Sequence, residues 1–173
     1  MQNKKWNYSD IENQKYDSLH LDNLEIIEAT FQNCSFKSSS FIESSFKHCK
    51  FENCLFINCD LSLAKFISSS FVSVKFENSK LVGINWAKAS IPFSLDTFFN
   101  QCNLSNSSFL GLNLQNINIT HCVAKEVSFE EANLTNANLT FTDFHKSRFQ
   151  NTNLTKADFC NAKNYAIDYK YNK

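Results

Sequence analysis

The chain has 173 residues with 17 basic and 17 acidic side chains, so no bulk charge recruits nucleic acid or an anionic membrane. The balance is also local, with three of each sign in residues 1–20, seven of each in 21–91 and seven of each in 92–173. This length suits one domain with a sizeable core, and a composition of two glycines and one proline argues against ordinary hairpins and tight turns.

Residues 1–20 contain basic side chains but no apolar run behind them, which predicts no secretory signal and a cytoplasmic location. No stretch of the chain approaches transmembrane length. Trp6, Tyr8, Ile11 and Tyr16 are expected to form a cap over the open end of the periodic tract that begins at Leu21.

From Leu21 a period of five runs through Ile26, Phe31, Phe36, Phe41, Phe46, Phe51 and Phe56 to Trp86 and Ile91. Two residues before nearly all of these positions stands a small side chain, such as Ala29, Cys34, Ser39, Ser44 or Cys49. The intervening positions are polar. We call the large position i and the small one i−2. Extended chain places i and i−2 on one face, and a corner after each short piece keeps both inside. Four corners close a square coil of 20 residues, and stacked coils pair through parallel backbone hydrogen bonds at roughly 4.8 Å. The spacing therefore predicts an all-β parallel β-helix over residues 21–164.

Residues 91–98 form an irregular joint in which the frame slips by three and the only proline sits. Pro92, Phe93 and Leu95 are candidate partner contacts if the joint projects; Phe93, Leu95 or Phe98 would fold back as packing if it is a bulge. The second tract, 97–164, repeats the pattern from Phe99 through Leu104 and Phe109 to Phe159, with only Ala124 weak. The tail, 165–173, alternates Tyr165, Ile167, Tyr169 and Tyr171 with other residues, which suits either a cap on the last coil or a surface pairing two chains.

The repeat also assigns the side chains that invite chemistry. Cys34, Cys49, Cys54, Cys59, Cys102 and Cys122 all occupy i−2, where a small apolar residue packs, so they are expected to be core thiols. Cys34 and Cys54 stack in adjacent coils, as do Cys102 and Cys122, but inward orientation and compartment argue against disulfides. Cys160, at i+1, is the one thiol expected at the surface. His20, His48, His121 and His145 all fall at outward positions with no nucleophile or carboxylate set by a motif. No phosphate loop, nucleophile elbow or zinc spacing is present, so no catalytic, cofactor or metal site is expected. Asn113, Asn133 and Asn153, 20 apart at i−1, should stack into a ladder whose amides bond along the stack.

"ANLTN", "ANLTF" and "ADFCN", residues 132–136, 137–141 and 157–161, resemble the pentapeptide-repeat family, whose unit is a small residue, Asn or Asp, Leu or Phe, then two polar residues. The resemblance covers roughly residues 21–164. It implies a right-handed quadrilateral β-helix and a non-enzymatic protein-interaction module. Members of the quinolone-resistance (Qnr) type act on DNA gyrase or protect it, as mimics of DNA that dimerise through their C-termini. For this chain the resemblance thus implies gyrase binding as the alternative, with a homodimer through the tail. Zero net charge departs from DNA mimicry, and the most acidic face, with Asp22, Glu43 and Asp60, also carries Lys80.

Overall fold

A computed structural model describes residues 6–89 and 95–172. Its corners set the period of five. Residue i+2 of almost every unit has left-handed backbone: φ is 54° at Asn13, 57° at Asn23, 52° at Asn33, 51° at Asn53, 61° at Asn106 and 57° at Asn136. Left-handed backbone costs an ordinary residue on the order of 1 kcal/mol, and asparagine tolerates it best among side chains with a Cβ. Gly83 and Gly111 stand at the same corner, with φ of 71° and 68°.

Between corners the chain makes three- and four-residue strands that pair in parallel with the coil above. In one sheet of six strands the central residues are Tyr16, Phe36, Phe56, Phe76, Phe99 and Ile119. The fold is an all-β, right-handed quadrilateral parallel β-helix. Inside it, rings 20 residues apart lie face to face: Phe36 on Phe56 at 4.7 Å, Phe31 on Phe51 at 5.1 Å, Phe109 on Phe129 at 5.2 Å. Rings on successive faces of one coil meet edge to face, as Phe31 and Phe36 do at 5.6 Å. Both arrangements suit the aromatic quadrupole. The i positions are buried from Leu21 through Phe149, leaving aside Ile91, which lies outside the described residues.

The i−2 residues do more than leave room. Ser44 Oγ accepts from Leu24 N–H at 3.0 Å and donates to the carbonyl of Leu21, so one hydroxyl bridges the open corner of the coil below. Ser69 does the same for Cys49 N–H (3.0 Å) and the Phe46 carbonyl (3.0 Å). Most of the cysteines take the donor half of this role, as Cys54 donates to the Phe31 carbonyl at 3.3 Å and Cys59 to that of Phe36 at 3.3 Å, while Cys122 also accepts from Cys102 N–H at 3.4 Å. A buried peptide group left unpaired is costly, which explains why Ser, Thr and Cys recur where size alone would admit Ala. In the second tract many corners close themselves instead, as in Ala137 N–H to Leu134 C=O at 3.0 Å and Ala157 N–H to Leu154 C=O at 2.9 Å.

Two boundaries differ from expectation. Residues expected as a separate N-terminal cap already belong to the coils: Asp10–Glu12 and Lys15–Asp17 are strands, with Ile11 paired to Phe31 and Tyr16 to Phe36. Among the described residues Trp6 serves as a lid, its ring 5.2 Å from those of both Phe31 and Tyr16. At the joint, Leu95 is buried and donates its N–H to the Asn113 carbonyl at 3.1 Å, the bond that Leu104 makes to Val123 and Leu114 to Asn133. Leu95 is thus an i position itself. It is a core residue and not a partner contact, because the frame resumes one unit earlier than Phe99.

Candidate functional site

The inward positions are committed to packing, so any site is external. Pro92 and Phe93, expected as partner contacts, lie outside the described residues. Tyr165, Ile167, Tyr169 and Tyr171 are exposed, Tyr169 by 83%. They do not form the expected extended row. Asp168 folds the tail into a turn, accepting from Tyr171 N–H at 3.2 Å through its carbonyl and from Lys170 N–H at 2.9 Å through its carboxylate. The turn delivers Asn172 onto the last coils, where its Oδ1 accepts from Thr152 N–H at 3.0 Å, while the Tyr165 ring packs 4.9 Å from that of Phe159.

Six thiols are buried and free, and Cys160 is exposed. Burial pushes Cys54 and Cys59 up to about 11, and it raises Cys49 as well. These are poor nucleophiles at neutral pH. Cys160 contacts Asn161 Nδ2 at 3.3 Å, with no base beside it that would make a catalytic pair among the described residues. His121 sits at a left-handed corner with its ring stacked 4.6 Å from that of Phe141, itself half exposed. Among the described residues no cluster of His, Cys, Asp and Glu is arranged to hold a metal ion.

The asparagine ladder forms, with Asn113 bridged to Asn133 and Asn133 to Asn153. Its amide oxygens turn into their own coils, however: Asn133 Oδ1 accepts from Thr135 Oγ1 at 2.7 Å, and Asn153 Oδ1 accepts from Thr155 Oγ1 at 2.7 Å. Asn and Asp at i−1 therefore hold the residue two further on, a local motif that vertical spacing alone does not predict.

Charges on the faces are interleaved and paired up the stack. Lys80 meets Asp60 at 3.4 Å, Lys125 meets Asp143 at 3.5 Å, Arg148 meets Glu130 at 3.0 Å, and Lys47 pairs with Glu25. Glu130 is held below the usual carboxylate range by its hydrogen bond from Ser128 and by Arg148; Asp143 is lowered by Asn164 and Lys125. Partial burial works against the ionised form of Asp60, but hydrogen bonds from Ser62 and the Lys80 ammonium outweigh it. On the face expected to be the most acidic, Asp60 is thus matched by Lys80 and Asp22 accepts from Ile42 N–H at 2.8 Å, while Glu43 has no ion pair among the described residues.

No curated protein matches the chain by sequence. Solved structures do match by shape. A trypsin-treated variant of QnrB1, a plasmid-mediated fluoroquinolone resistance protein, superposes with a TM-score of 0.71 at 20% identity, covering 95% of this chain and 86% of that one. HetL, a protein involved in heterocyst differentiation regulation from the cyanobacterium Nostoc sp. strain PCC 7120, gives 0.55 at 15% identity over 89% and 85%. Family models described as "Pentapeptide repeat region" and "Pentapeptide repeats (8 copies)" match residues 29–95 and, in two overlapping segments, 113–151 and 128–163. With the five-residue frame, the left-handed corners and the square coil already in place, these matches make the chain a member of the pentapeptide-repeat family.

Proposed function

We propose that the protein is a non-enzymatic interaction module that binds a protein partner in the cytoplasm. The observation that supports this most is the allocation of side chains: inward positions pack, corner and i−1 positions fix the backbone, and what remains is a set of largely polar outer faces of stacked strands, with apolar side chains such as Val72, Leu110 and Phe141 exposed among them. Such faces suit contact with a macromolecule better than enclosure of a substrate. Free buried thiols suit a reducing compartment. The exposed tail tyrosines at one end suit pairing of two chains by a single isologous contact.

A second reading, binding of DNA gyrase, draws on the likeness to QnrB1, which extends over 95% of the chain. Surface charge weighs against it. A groove built to hold phosphates attracts carboxylate rows, and here the carboxylates of Asp60, Glu130 and Asp143 are matched by cations. The module reading is tested by placing a photocrosslinker at one outward position per face, for instance at Lys50, Lys75, His145 and Gln150, in cells. Crosslinks to one protein confined to one or two faces support the reading; none from any face contradicts it.

A further inference from the structure

The sheet made by Glu25–Ile27, Ser45–Lys47 and Lys65–Ile67 stops there. The next pass over this face is a 3-10 turn, Trp86–Lys88, capped by Asn85, whose Oδ1 accepts from Ala87 N–H at 3.1 Å. The turn absorbs one residue. Glu43 and His48 donate to the carbonyls of Ser62 and Ile67, each 19 residues ahead, whereas Ser68 donates to that of Lys88, 20 ahead. Two rungs are lost in between. Lys65 N–H bonds the Ser44 carbonyl one coil below at 2.8 Å, but Asn85 N–H forms no such bond with the Ala64 carbonyl. Likewise Leu61 N–H reaches the Lys80 carbonyl at 2.7 Å, but Phe66 N–H has no such bond with Asn85.

The opened seam is a largely apolar cleft of about 630 Å³, lined in part by Leu63, Phe66 and Ile67. Leu63 is 49% exposed, and it leans so close to Gly83 that a Cβ there would lie 2.7 Å from its Cδ2. Lys65 and Lys88 also line the cleft against one carboxylate, Glu43. Lys47, Lys80 and Lys125 are matched by acids elsewhere on the surface, but Lys65 and Lys88 have no ion-pair partner among the described residues.

We infer that this cleft binds a small amphipathic carboxylate, with an aliphatic body against Leu63 and Ile67 and its anionic end between Lys65 and Lys88. The volume suits a small molecule. The excess of one cation over Glu43 selects an anion, and the Phe66 N–H supplies a donor for its oxygen.

Decanoate is a direct probe. Titrated into the full-length protein and followed by methyl NMR, it should shift the Leu63 and Ile67 signals saturably, with decanol and the Lys65→Gln/Lys88→Gln variant each binding about tenfold more weakly. A Lys50→Gln/Lys156→Gln variant, altered elsewhere, should bind as the parent does. Three results would overturn the inference: no saturable shift up to about 1 mM, equal binding of decanol, or undiminished binding by the Lys65/Lys88 variant while its spectrum shows an intact fold.

Discussion

Phe76 and Phe99 stack with centroids 5.4 Å apart and planes 7° apart, although 23 residues separate them where 20 separate Phe56 from Phe76. The ring column thus crosses the joint unbroken, because the extra residues are accommodated elsewhere in the coil. In a solenoid, where each coil touches only its neighbours, this contact couples the two tracts.

Phe99→Ala should therefore cost about 3–5 kcal/mol and also separate the transitions of the two tracts in urea. Phe56→Ala, between Phe36 at 4.7 Å and Phe76 at 5.0 Å, should cost as much but leave a single transition. With Trp86, which packs on Phe99 and Phe109, replaced by Phe in all variants, fluorescence of the remaining Trp6 reports the first tract and circular dichroism reports the whole. Coincident fluorescence and dichroism curves in Phe99→Ala would argue against coupling at this ring.

Ser69 tests the bridging role of i−2. Its hydroxyl serves both Cys49 N–H and the Phe46 carbonyl in the core, so Ser69→Ala should destabilise by about 1–3 kcal/mol despite the better size match. Ser69→Cys, which keeps a donor, should lose less. Equal denaturant midpoints for the parent and Ser69→Ala would reduce i−2 to a matter of volume.

The buried thiols give a pH dependence. Cys54 and Cys59 rise from 9.0 to about 11 on folding through desolvation, so the unfolded chain ionises first. Their contribution to stability is complete below pH 9 and is lost as pH rises through 11, on the order of 2 kcal/mol per thiol. Replacing both with Ser should flatten the stability profile between pH 9 and 11 relative to the parent. At neutral pH a thiol reagent should label Cys160 alone until the chain unfolds. Rapid native labelling of Cys54 would contradict the packing.

Removal of the tail after Asn164 takes Tyr165 off Phe159 and Asn172 off Thr152. Light scattering should then show a dimer becoming a less soluble monomer. A full-length chain that is monomeric across micromolar concentrations would leave the tail as a cap only.

The aromatic column from Phe31 to Phe109 is legible in the sequence because burial repeats with it, every i carrying a large apolar residue. The first coil is as legible in principle, since Trp6, Ile11 and Tyr16 continue the frame backwards from Leu21, but two aromatics at a chain end read equally well as a lid. Asparagines at 13, 23, 33 and 53 announce the left-handed corner, a signal that a count of glycines overlooks. Leu95 is obscured because it stands only four residues before Phe99. The cleft beside Lys65 and Lys88 has no signature, since it arises from a one-residue change in hydrogen-bond partner at Ser68 and not from any motif.

Whether this fold, with the carboxylates of Glu25, Asp60, Glu130 and Asp143 paired, serves a protein partner without mimicking DNA is decided by a gyrase supercoiling assay run with a fluoroquinolone. Purified protein at low micromolar concentration should leave the inhibition unchanged. Clear restoration of supercoiling, abolished when residues 91–94 are shortened with Leu95 kept, would refute a partner bound without DNA mimicry and establish gyrase as the partner.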